Sequence, residues 1–182
     1  MKFEPTELPG VILFRPDTLD RSADWVLDSW EEDEVLADRV GLRFVQENQS
    51  RSWRHVLRGL HYQVVRPQGM LIRVIVGTVF HVTIDVRRSS PMFRRWLGVR
   101  LSAHNGQLLW VPPGFARGFL VLSDFADVVC WCTDFRHPAY ERTIVWNDPD
   151  LNVSWPIPER TRPILSERDA SATSLREAEF LP

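Results

Sequence analysis

The stretch that follows Gly77 constrains the fold more than any other part of the chain. Phe80, Val82, Ile84 and Val86 alternate there with His81, Thr83 and Asp85. A period of two gives a strand one apolar and one polar face, and it fits no helix. The runs 71–76 and 78–86, broken at Gly77, are rich in β-branched residues, and further strands are expected at 96–102, 107–111, 119–122 and 126–133. Pro112-Pro113-Gly114 and His104-Asn105-Gly106 punctuate them as turns. Phe44 to Ser50 sets polar amides beside a further expected strand. Short strands at even spacing predict an all-β sandwich or barrel. Helix is scarce, with 28–38 and 166–180 as the candidates. The length of 182 residues predicts a single domain over 1–182. From about residue 156 the chain turns polar and proline-marked, as an arm wrapping a core would.

Charge and composition exclude several function classes. Of the 22 basic residues one is a lysine, Lys2, and the rest are arginines. A Schiff-base lysine needs a pocket, which a position so near the N-terminus does not offer. A P-loop is absent, since no glycine-rich loop ends in Gly-Lys-Ser/Thr. Any cation that meets a substrate anion is therefore arginine, histidine or a backbone amide. A formal net charge of -2 argues against a general nucleic-acid binder. No apolar run approaches the ~18 residues of a membrane span, and residues 1–10 lack the apolar stretch of a signal peptide. The two cysteines, Cys130 and Cys132, are too close along a strand to bridge without strain, which fits a reducing cytoplasm.

The chemistry-bearing residues fall in five strings. These are Leu57-Arg58-Gly59-Leu60-His61-Tyr62-Gln63, Phe44-Val45-Gln46-Glu47-Asn48-Gln49-Ser50 and Val111-Pro112-Pro113-Gly114-Phe115-Ala116-Arg117-Gly118-Phe119. The other two are Glu141-Arg142 followed by Trp146-Asn147-Asp148-Pro149, and Ile164-Leu165-Ser166-Glu167-Arg168-Asp169. Together they resemble the dTDP-4-dehydrorhamnose 3,5-epimerase family, over about residues 3–169. The resemblance implies a cupin-like jelly roll, a double-stranded β-helix, working as a homodimer without metal or cofactor. It implies a nucleotide-diphosphate-linked 4-keto-6-deoxy sugar as substrate, epimerised by removal and return of an α-proton. By this resemblance His61 is the base and Asp169 the carboxylate behind it. Arg58 contacts the diphosphate, Gln46 and Asn48 line the sugar and nucleotide site, and Glu141 lies near the nucleotide. A histidine suits the base because its pKa lies near working pH. A metal-binding cupin would need a His-x-His pair, and His61-Tyr62-Gln63 supplies one imidazole.

The departures from the family pattern concentrate in the same site. Met70 stands where the family has the lysine that stabilises the enolate, and Cys130 where it has the tyrosine acid. His81 replaces an aspartate, Arg117 a histidine, and Arg136 an aromatic that stacks on the base. Arg21-Ser22-Ala23-Asp24-Trp25 is a degraded form of an Arg-Gly-aromatic pattern. Cys130 is either the substitute acid, with a nearby positive charge lowering its pKa, or a small buried hydrophobe. Arg117 or His81 is then the candidate to stabilise the enolate. Arg136 either stacks its planar guanidinium on a base or is a solvated loop residue. An altered epimerase is the leading expectation; a related sugar isomerase and a non-catalytic nucleotide-sugar-binding cupin are the alternatives.

Overall fold

A computed structural model describes residues 2–16 and 43–182; the expected helix at 28–38 and the 21–25 motif lie outside them. The described residues form two antiparallel sheets. Six strands make the first: β1 (Lys2–Pro5), β2 (Ile12–Arg15), β3 (Gln46–Trp53), β5 (Met70–Val76), β8 (Leu108–Val111) and β10 (Phe125–Cys132). Their spatial order is β1-β2-β8-β5-β10-β3. The second holds β4 (Leu57–Gln63), β6 (Thr78–Asp85), β7 (Trp96–Ser102), β9 (Phe115–Val121) and β11 (Glu141–Thr143), in the order β11-β4-β9-β6-β7. Successive strands cross between the sheets, which is the jelly-roll solution to closing a β core. The fold is cupin-like, as expected.

Three apolar clusters place the layers. Ile72, Val74, Val79, Leu109, Val111, Val121 and Val128 fill the space between the sheets. Leu71, Leu108 and Trp110 pack on the outer face of the six-stranded sheet with Phe14. The third cluster changes the meaning of the β6 alternation. Phe80, Val82, Ile84 and Val86 face outward, against Trp155, Leu175, Ala178 and Leu181 of the C-terminal segment. The opposite face, with His81, Thr83 and Asp85, is also buried. The polar face that alternation would assign to solvent is thus turned into the barrel, because the end of the chain covers the apolar one.

That covering segment is mostly extended. Isolated parallel bridges tie Ile164 to Val56, Thr173 to Ile144 and Leu181 to Arg87. The helix expected over 166–180 is reduced to one turn, α1 (Glu167–Ala170). Thr173 forms a bridge and hydrogen-bonds to Thr143 instead of continuing the helix, and Ser171, Thr173 and Ser174 favour such local bonding over helix. The arginines 87, 88 and 94 are engaged by the fold. Arg87 pairs with the fully buried Asp85 and lies over Phe115, while Arg88 and Arg94 lie over Phe180. No helix among the described residues is long and apolar enough to cross a membrane.

Candidate active site

Arg58 and His61 are three residues apart on one strand, so a regular pleat would send them to opposite faces. The structure brings both to the same cleft by a bulge. Arg58 sits opposite Phe119 of β9 and His61 opposite Arg117, so Gly59 and Leu60 together face the single residue Gly118. A bulge of this kind re-aims the side chains that follow it. It needs glycine at 59, whose φ is +122° and whose Cβ, if present, would lie 2.5 Å from Gly118 Cα. Leu60 and Tyr62 are thereby turned to the outer cluster, and His61 is freed to point between the sheets.

The cleft, of about 370 Å³, is walled by both sheets, a size suited to a small ligand. Arg58, His61, Gln63, His81, Arg117 and Phe119 enter from the five-stranded sheet. Met70, Ile72, Val128 and Cys130 face them from the other. His61 Nε2 meets Asp169 Oδ1 at 2.5 Å. Asp169 is 1 % exposed and comes from α1, whose N-cap Ser166 donates its hydroxyl to Oδ2 at 2.8 Å. Burial pushes the Asp169 carboxyl up. The His61 hydrogen bond and charge, the Ser166 hydroxyl and the Gly59 amide outweigh it and hold Asp169 below the ordinary carboxylate value. The bulge therefore aims the imidazole and also solvates its partner. With Nε2 engaged, Nδ1 is the ring nitrogen left to exchange a proton.

At the mouth, Glu141 gathers two arginines: Arg136 binds it through Nε and Nη2, and Arg168 through Nη1 at 2.7 Å. Burial raises the Glu141 carboxyl, but both guanidiniums and His61 bring it below its usual value. Arg136 is thus a loop guanidinium paired bidentately with a carboxylate, its side chain still 56% exposed. Arg58 donates Nε to Ser52 Oγ of β3 at 2.9 Å, bridging the sheets. Gln46 and Asn48 flank the cleft rather than line it. Gln46 Oε1 accepts the Arg136 backbone amide, and Asn48 Nδ2 lies 3.4 Å from Cys132 Sγ.

Deeper in, burial and the Arg117 charge lower His81 to about 3, so its ring is neutral. For Cys130 the expected shift has the wrong sign. Burial, then the neighbouring Cys132, push it up to about 12, and the lowering by Arg117 is smaller. Cys130 is accordingly a protonated thiol at neutral pH. Sequence reasoning passed over Arg168, adjacent to Asp169 in its string, and Gln63. The Gln63 amide holds the Arg66 carbonyl and the His137 amide, which ties β4 to the loop that carries Arg136. No group of three or more His, Cys, Asp or Glu able to hold a metal is found among the described residues.

A histidine–carboxylate dyad held between the sheets of a cupin-like jelly roll, under an arginine-rich mouth, is the arrangement of an isomerase that moves protons. Comparison with known proteins makes this specific. Residues 5–177 match the family model described as dTDP-4-dehydrorhamnose 3,5-epimerase, and the chain belongs to that family. It is 44% identical to dTDP-4-dehydrorhamnose 3,5-epimerase of Pseudomonas aeruginosa, covering 100% of both chains. It superposes with a TM-score of 0.91 and 39% identity on a 3,5-epimerase from Legionella pneumophila in complex with dTDP-4-keto-L-rhamnose, covering 98% of this chain and 94% of that one. A 3'-monoepimerase from Streptomyces bikiniensis in complex with dTDP-quinovose has a TM-score of 0.86 at 30% identity, with 94% of this chain and 87% of that one covered.

Proposed function

We propose that the protein epimerises a dTDP-linked 4-keto-6-deoxy sugar by exchanging a proton on a carbon next to the ketone. The observation that carries this is the His61–Asp169 dyad on one wall of the cleft, with the Cys130 thiol on the opposite wall. His61 Nδ1 takes the α-proton, and the C–H electron pair moves into a new C=C bond as the carbonyl oxygen becomes an enolate. Cys130 Sγ then gives its proton to the other face of the same carbon. The resulting thiolate is reprotonated from the imidazolium through solvent, which restores both groups. Arg58 holds the diphosphate, as arginine suits phosphate, with Arg136 and Arg168 beside it at the mouth. Glu141 fixes those two arginines, and Gln46 and Asn48 border the nucleotide side.

The replacement of the family tyrosine by Cys130 and of the family lysine by Met70 favours inversion at one centre over two. A thiol pushed up to about 12 by burial remains an adequate acid toward an enolate carbon but is the single proton donor on that wall among the described residues. The experiment is incubation with dTDP-4-keto-6-deoxyglucose in D2O, following C3 and C5 by NMR. Deuterium entering at one centre with inversion is expected, abolished in His61→Ala. Ligand binding without exchange at either centre would refute the epimerase reading in favour of a non-catalytic nucleotide-sugar-binding protein. The reading includes a cytoplasmic homodimer. Its support is two free cysteines and a β3 that, among the described residues, ends its sheet with one backbone edge unpaired and Trp53 65% exposed.

A further inference from the structure

Among the described residues, Arg117 is a cation without a paired anion. It lies on β9 opposite His61 and Thr83, is 7% exposed and lines the cleft. Of its five N–H donors one has a protein acceptor among the described residues: Nη1 donates to the Gln68 carbonyl oxygen at 2.7 Å. The two carboxylates of the cleft are committed elsewhere, Asp169 to His61 and Ser166, and Glu141 to Arg136 and Arg168. The titratable groups that face Arg117 among the described residues are His61, His81, Cys130 and Cys132, none of them an anion at neutral pH. The remaining walls nearby are Met70, Ile72, Phe119 and Val128. A charge buried without a counter-charge is unfavourable, and arginine does not escape by giving up its proton. A site that keeps one is built for negative charge brought by a ligand.

The geometry points to Arg117 as the electrophilic residue of the reaction: its cleft-facing N–H groups receive the sugar's carbonyl oxygen as that oxygen becomes the enolate. This rests on the epimerase reading above. It accounts for two replacements together. Met70, on the facing sheet, has no charge to offer, and the cation has moved across the cleft to β9. His81 in place of an acid follows from the same change, because a carboxylate there would neutralise Arg117 before substrate arrived. The neutral ring fills that space without competing for the guanidinium.

The test compares Arg117→Met, Arg117→Lys and Arg117→Gln with the wild-type chain, measuring dTDP affinity, KM and kcat for solvent exchange into dTDP-4-keto-6-deoxyglucose. Removing one donor to a developing oxyanion lowers kcat by about 10²–10³-fold. We expect that loss in Arg117→Met and Arg117→Gln with KM and dTDP affinity within about threefold of wild type, on the same principle that the interaction forms only in the transition state. Arg117→Lys, which keeps the charge, loses less. The Gln variant carries the comparison if the Met variant does not fold. Wild-type exchange with kcat preserved in Arg117→Met or Arg117→Gln overturns the assignment alone. So does a loss that appears in KM and dTDP affinity instead of kcat. Absence of exchange in the wild type overturns the epimerase reading and this assignment with it, while intact dTDP binding shows that the protein is folded.

Discussion

Asp169→Asn isolates the charge behind the base while keeping its shape. The native pair places a buried carboxylate 2.5 Å from His61 Nε2. Unit charges roughly 4 Å apart attract by about 4 kcal/mol at an effective dielectric of about 20. The His61 side chain is 34% exposed against 2% for Asp169, so solvent screens part of this, leaving roughly 2 kcal/mol of attraction for the positive charge that develops on the ring during proton abstraction. At ~1.36 kcal/mol per decade that slows proton abstraction by about 30-fold. A second effect adds to it. An asparagine that presents its NH2 to Nε2 drives the ring proton onto Nδ1, the nitrogen needed as base. In a hydrolase triad the same exchange costs about 10⁴-fold. The expected fall in kcat for solvent exchange therefore lies between about 30-fold and about 10⁴-fold on these two grounds, with dTDP affinity unchanged. Asp169 also links the site to acid stability. It is held below its ordinary value when folded, so its contribution is fully present above about pH 4 and is lost as pH falls through the folded value. The variant loses that acid-dependent increment. A kcat within about threefold of wild type would refute the dyad, since it falls below either expected loss.

Gly59→Ala is expected to cost at least 1–3 kcal/mol, because the residue would be strained at positive φ and its Cβ would sit 2.5 Å from Gly118 Cα; urea unfolding measures this, and an unchanged midpoint would contradict the bulge geometry. Cys130→Ala should separate exchange from inversion. His61 still removes and returns a proton on its own side, while inverted product falls by about 10²–10⁴-fold, the usual weight of a general acid; undiminished inversion would remove the thiol from the mechanism.

How much of this was legible beforehand varies by element. Strand β7 was read at its observed bounds, Trp96–Ser102, because alternation and turn residues agree there. In β6 the same alternation marks a strand, but both faces are buried because a segment some 90 residues later covers the apolar one, and local sequence carries no sign of that cover. The site residues His61 and Asp169 were reachable through resemblance to a family, not through spacing, since 108 residues separate them. The bulge hides in plain view: Arg58-Gly59-Leu60-His61 reads as two faces until Gly118 is known to approach Gly59. The Cys130 shift came out opposite in sign because charge can be guessed from neighbours in a string, whereas burial between sheets cannot. Arg168 was overlooked because its partner, Glu141, lies on another element.

The C-terminal segment does more than cover a sheet, for it delivers Asp169. It is fastened by three isolated bridges, by Leu175, Ala178 and Leu181, and by ties such as Tyr62 Oη to the Glu179 carbonyl. Every β-strand of the barrel precedes it in the chain. The carboxylate behind the base is therefore supplied by chain that follows the barrel strands, and docking of that segment completes the dyad. Undocking of residues 164–181 withdraws Asp169 from His61 and bares Phe80, Val82 and Ile84 of β6 in the same event, which couples the dyad to the outer core.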